Sequence, residues 1–167
     1  MRIGIIILAL SCVSAAQAAR RITGKYTNPA LGYEVTVPEG LAGVTGDQAG
    51  PERGFSISLS SGGTINVFGE ANSLGWKSPM DGIRHSLGVE KCDSGRQQAT
   101  AFGRMGRITA TKGTLVCGDR LVEMLLAFRP GGEPIYWITL RTTTQKRVDD
   151  EAAFNKLAAT FQLISWQ

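Results

Sequence analysis

The chain has 167 residues, 43% of them hydrophobic and 19% charged, a composition that suits one globular domain with a substantial core and excludes a low-complexity or disordered chain. Its net charge of +4 is too mild for a dedicated nucleic-acid binder, whose cations concentrate on one face or one element. A single histidine excludes a metal centre built on several imidazoles.

Residues 1–19 read as a secretory leader. Arg2 supplies a positive start, residues 3–10 an apolar run, and Ala16-Gln17-Ala18-Ala19 a small-residue exit. An apolar run of eight residues falls far short of the roughly 20 that a membrane-spanning helix needs. Cys12 admits a second reading, as the lipid-carrying first residue of a lipoprotein. However, Ala9-Leu10-Ser11 places leucine one position too close to it, and a good cleavage site follows. The expectation is an unlipidated mature chain that begins at Arg20 or Ala19, forms a single domain over residues 20–167 and works in the periplasm or outside the cell. A blocked, acylated Cys12 found by N-terminal sequencing would overturn it.

The first strand signal is Tyr33-Glu34-Val35-Thr36-Val37, apolar at odd positions and polar at even ones, between Asn28-Pro29 and Pro38-Glu39-Gly40. Residues 42–53, rich in glycine and containing Pro51, read as an exposed loop. Phe55-Ser56-Ile57-Ser58-Leu59-Ser60 and Ile65-Asn66-Val67 flank Ser61-Gly62-Gly63, the pattern of a β-hairpin with one wet face. A short helix follows, with Ser78 as N-cap, Pro79 in the first position and Asp81 in the first turn. Met80, Ile83 and Leu87 form its buried stripe, Gly82 weakens it and Gly88 closes it.

From residue 99 to 144 the chain reads as three antiparallel strands. They lie over residues 105–111, 121–128 and 135–143, with Pro130-Gly131-Gly132-Glu133-Pro134 as a turn. Val122, Met124, Leu126 and Phe128 share a face. A last helix begins at Asp149, Asp150 and Glu151 and buries Phe154, Leu157, Ala158 and Phe161. Leu163-Ile164-Ser165-Trp166 packs back on the sheet. The expected fold class is therefore α+β: one twisted antiparallel sheet with two helices packed on one face.

Only Cys92 and Cys117 survive removal of the leader. In an oxidising compartment they most simply form one disulfide that ties the end of the middle helix to the sheet. A metal or redox pair is the alternative, and the absence of CxxC spacing gives it little support.

The run Tyr26-Thr27-Asn28 … Gly32-Tyr33-Glu34-Val35-Thr36-Val37-Pro38-Glu39-Gly40 resembles the opening of PsbP-like and DcrB-like domains, and Phe154 … Phe161-Gln162-Leu163 is similar to their final helix. The recognisable pattern covers about 25 residues, whereas the order of elements matches over most of the mature chain. The resemblance implies a twisted antiparallel sheet and a binding or accessory role, and it carries over no catalytic residue.

No nucleophile elbow, Ser-x-x-Lys, phosphate loop or dinucleotide fingerprint is present. Glu70, Glu90, Asp93, Asp119 and Glu123 sit in no apolar context that would raise a carboxyl pKa. His85 falls off the apolar stripe of its helix. No catalytic residue, metal ligand or cofactor is expected. Between Asp93 and Asp119 there are no acids, while Arg96, Arg104, Arg107 and Lys112 all occur. On a strand, Arg104 and Lys112 would share a face opposite Arg107. Such cations either solvate the strand or form a shallow surface for an acidic partner protein, anionic headgroups or a polyanionic polymer. Trp76 is either an anchor beside them or a cover for the core. The double variant Arg104→Glu/Lys112→Glu is then expected to weaken binding and leave the melting temperature nearly unchanged.

The sequence thus points to an exported soluble binding or accessory module that contacts another envelope or secreted protein, a class that includes inhibitors and immunity-type proteins. The alternative is a small-molecule or lipid-like ligand in a groove between sheet and helix. Large apolar residues at the core positions argue that such a groove is filled. An envelope hydrolase ranks third.

Overall fold

The computed structural model describes residues 19–46, 53–90, 92 and 95–165. The leader with Cys12, most of the expected loop before Arg53, Asp93 and Trp166 lie outside the described residues. The alternating runs form strands because their apolar positions all meet one buried surface. The strands are β1 (Arg21–Ile22), β2 (Lys25–Asn28), β3 (Tyr33–Thr36), β4 (Gly43–Thr45), β5 (Gly54–Ser58), β6 (Thr64–Glu70), β7 (Arg96–Met105), β8 (Ile108–Cys117), β9 (Arg120–Phe128), β10 (Ile135–Thr143) and β11 (Gln162–Leu163). Helix α1 (Pro79–Val89) lies between β6 and β7, and α2 (Arg147–Ala159) between β10 and β11. Eight strands make one antiparallel sheet in the order β1-β4-β5-β6-β10-β9-β8-β7, and β11-β3-β2 make a small second sheet. The fold is α+β in one domain, and no described helix is long and apolar enough to cross a membrane.

The helices do not share a face of the large sheet, and this corrects the sequence expectation. Ile83 and Leu87 of α1 pack with Val122, Met124, Leu126, Ile135 and Trp137. Phe154, Leu157 and Ala158 of α2 pack with Leu125, Ala127, Ile138 and the second sheet's Tyr33 and Val35. The cause is visible in β9, where every residue from Leu121 to Ala127 is buried. A strand with both faces apolar needs a cover on each side.

Two further corrections concern strand bounds. The stretch expected as one strand at 105–111 is interrupted at residues 106–107 by the tight connection between β7 and β8, so the meander has four strands. Gly106 makes the connection possible. Its φ is +56°, its N–H donates to the Ala158 carbonyl at 2.7 Å, and a Cβ there would lie 1.9 Å from the Phe161 carbonyl oxygen. Strand β4 occupies part of the expected loop, where Gly43 makes room for the Phe55 ring, which a Cβ would approach to 2.5 Å.

Helix α1 begins as its sequence indicates, with Ser78 and Asp81 in a reciprocal capping box and Pro79 in the first turn. It runs to Val89. Gly82, which weakens the helix on propensity, is buried at its contact with the sheet. A Cβ there would come 2.4 Å from Leu126 and 2.8 Å from Trp76. The missing side chain is what lets α1 approach β9. Cys92 and Cys117 are joined by a disulfide that ties the end of α1 to the end of β8. On the α2 side, Arg129 donates to the carbonyls of Gly32 at 3.1 Å and Ile164 at 2.9 Å, and so fastens the β2–β3 turn and the segment after β11 to the end of β9.

Candidate functional site

The large sheet is wider than α1. The helix lies over β7, β8 and β9 and leaves the same face of β10 and β6 open beside it. Strand register then dictates what lines the open part. Phe68 stands opposite Trp137, Asn66 opposite Thr139 and Thr64 opposite Arg141. The result is a groove of about 410 Å³, walled by α1 through His85, Val89 and Glu90 and by the loop after β6 through Leu74 and Trp76. The filled interface expected between sheet and helix is therefore open on this side.

Its aromatic floor is fixed in place. The Phe68 and Trp137 rings stack at 6.2 Å, and Trp76 meets Trp137 edge-on at 5.9 Å and His85 at 5.7 Å. Trp137 donates its indole N–H to Glu70 Oε1 at 3.0 Å, while Arg53 approaches the other Glu70 oxygen at 3.4 Å. Trp76 is held from behind by Asn72, whose side chain accepts from the Trp76 N–H at 2.9 Å and donates to its carbonyl at 2.8 Å. At the other end Glu90 takes ion pairs from Arg141 and Arg120. The wet face expected for the β5–β6 hairpin is partly dry, because Ser56 and Asn66 are buried and hydrogen-bonded to each other at 2.7 Å. The groove can take up an apolar or aromatic group. Among the described residues no three of His, Cys, Asp and Glu converge to hold a metal.

The structure does not bring the four sequence-selected residues together. Trp76 is half-buried in the groove on the α1 face. Arg107 is exposed in the β7–β8 connection. Arg104 and Lys112 both border the cleft between that hairpin and α2. However, Arg104 stands opposite Thr109 and Lys112 opposite Leu125, so the intervening turn and a bulge between Thr100 and Gly103 place their side chains on opposite faces.

Lys112 is also not free. Its ammonium lies 2.9 Å from the carboxylate of Glu123, whose side chain is fully buried. The sequence gives Glu123 no reason for a raised pKa, yet burial raises it, and a hydrogen bond with Glu151 adds to the effect against the pull of Lys112. Glu151 is held low despite its own partial burial, by hydrogen bonds with Glu123 and Arg147. The two groups act on stability in opposite windows. Glu123, raised on folding, contributes stability below its unfolded pKa of about 4.3, and this is lost as pH rises through its folded value. Glu151, lowered on folding, contributes above about 4.3 and loses that contribution as pH falls through its folded value. Denaturant unfolding across pH should therefore show Glu123→Gln flattening the loss of stability above about pH 4.3 and Glu151→Gln the loss below it. Superimposable profiles would refute the linkage.

No protein-family model matches the sequence, and no curated protein matches it. Among solved structures, the solution structure of cyanobacterial PsbP (CyanoP) from Synechocystis sp. PCC 6803 superimposes with a TM-score of 0.52 at 16% identity, covering 94% of this chain and 98% of that one. At that identity the likeness concerns the fold, and the fold of this chain is PsbP-like.

Proposed function

We propose that the protein is a non-catalytic accessory module of the cell envelope that works by holding another envelope or secreted protein, with the α1 groove as its contact surface. The observation that carries this reading is the concentration of exposed apolar groups at one place. Leu74 is 61% and Val89 64% exposed, and both line the groove together with the half-buried Trp76. Exposed apolar surface around a preformed aromatic pocket is the usual composition of an interface centre, where tryptophan contributes out of proportion to its area. The basic stretch, expected from sequence to be the contact, is divided between two faces, which favours the groove over it as the main surface.

The groove's size supports one second reading. A cavity of about 410 Å³ also suits a small or lipid-like ligand. The two readings separate in one experiment. Capture from envelope extract, followed by reconstitution with the purified partner, should show that Val89→Asp and Leu74→Asp weaken binding at least about tenfold while the fold is kept. Native mass spectrometry of the captured protein reports any small ligand. A co-purifying small molecule lost on Trp76→Ala, with partner capture unaffected by the rim variants, would replace the first reading with the second.

A further inference from the structure

Strand β7 is the outer edge of the eight-stranded sheet, and no strand among the described residues pairs with its far side. It is ten residues long, about twice the typical strand. Its inner side pairs regularly with β8 over Arg96–Thr100, before the bulge. The bulge confines any straight outer partner to that stretch. Such an edge presents backbone donors and acceptors that an extended chain can meet, and proteins usually blunt it with charge. Here all the charge has one sign. Arg96 and Arg104 on β7 and Arg107 at its end are exposed, and the sequence has no acid between Asp93 and Asp119. Phe102, 90% exposed, adds an apolar contact on the same strand.

We propose that the outer edge of β7 accepts an acidic extended segment of a partner protein as a ninth strand. Backbone hydrogen bonds along Arg96–Thr100 would supply affinity, and a carboxylate opposite Arg96, with the positive field of Arg104 and Arg107 beyond the bulge, would supply specificity. Charge disfavours a second copy as the occupant. Antiparallel pairing of β7 with β7 brings together two strands that each carry Arg96 and Arg104 and no acid. Pairing of β7 with the other sheet edge sets them beside Arg20 and Arg21, which flank and open β1. Both arrangements juxtapose like charges, which destabilises cross-strand pairs. The same cations that keep copies of this chain apart select an acidic strand.

The test uses the purified protein and a synthetic peptide that alternates glutamate and valine. Three controls accompany it: the lysine-for-glutamate peptide, a peptide N-methylated at alternate residues, and the protein variant Arg96→Glu/Arg104→Glu. The expected result is binding of the acidic peptide with slowed amide exchange along β7. Affinity should fall about tenfold or more for the lysine peptide and for the double variant. N-methylation should abolish binding to unaltered protein, which keeps the test independent of the variant's folding. Trp76→Ala should leave peptide binding unchanged. No binding, equal binding of the N-methylated peptide, protection at the α1 groove instead of β7, or a β7-mediated dimer without peptide would each overturn the proposal.

Discussion

Lys112→Glu is expected to lower the unfolding free energy by about 3–5 kcal/mol at neutral pH, the range for breaking a buried ion pair by removing one partner. The reason is Glu123, whose carboxylate is fully buried and lies 2.9 Å from the Lys112 ammonium. Arg147 also approaches it, at 3.5 Å and from a more exposed position. Replacing the ammonium by a second carboxylate leaves one buried charge poorly compensated and adds a like charge beside it. For a domain of this size each kcal/mol corresponds to roughly 2–4 °C, so the melting temperature should fall by about 6–20 °C. Glu123→Gln in the same chain should recover most of the loss, since it removes the charge that needs a partner. Arg104→Glu alone, on the other face and exposed, should stay within about 0.5 kcal/mol. This replaces the sequence-based expectation that the Arg104→Glu/Lys112→Glu double variant melts as the unaltered protein does. Equal melting of Lys112→Glu and the unaltered chain would remove the buried-pair account.

The residues that misled the reading did so for one physical reason: sequence periodicity reports which face is apolar but not what covers it. The alternation at Tyr33, Val35, Phe55, Ile57, Ile65 and Val67 located strands correctly, because each of these side chains enters the same core. In β9 the even positions define one face, but Leu121, Leu125 and Ala127 make the run nearly continuous. That continuity was a legible sign of two covered faces. The capping residues Ser78, Pro79 and Asp81 fixed the start of α1 because capping is local chemistry. The groove beside α1 is not local. It depends on α1 being narrower than the sheet and on β6–β10 register, which sets Phe68 against Trp137. Gly82 carried a partial signal, since a glycine on a helix's apolar face marks a close approach, and here Trp76 and Leu126 fill the space a Cβ would take. The division of the basic stretch was hidden for a related reason. A turn at Gly106 and a bulge after Thr100 each shift the two-residue period, and neither leaves a mark in charge pattern alone.

Cys117→Ala is expected to cost roughly 2–5 kcal/mol, and to impair the groove before it unfolds the domain. The bond to Cys92 closes a loop with a sequence separation of 25, for which the chain-entropy estimate is about 3–4 kcal/mol. Within a typical stability of about 5–15 kcal/mol that is a large share. Its position gives the loss a direction. Helix α1 ends at Val89, and besides the disulfide its last turn is fastened by Gln97, which donates to the Leu87 carbonyl at 3.1 Å. Val89 and Glu90 form one wall of the groove, so freeing Cys92 loosens that wall while Leu87 and Ile83 still hold the helix to β8 and β9. Under reducing conditions well below the melting temperature, tryptophan fluorescence from the Trp76–Trp137 pair should shift and partner capture should weaken, while far-UV dichroism stays unchanged. The alanine variant should show the same pattern without reductant. Two freely alkylated thiols in protein isolated from its own compartment would eliminate the bond. A reduced protein that holds its partner as well as the oxidised form would sever the disulfide from the groove.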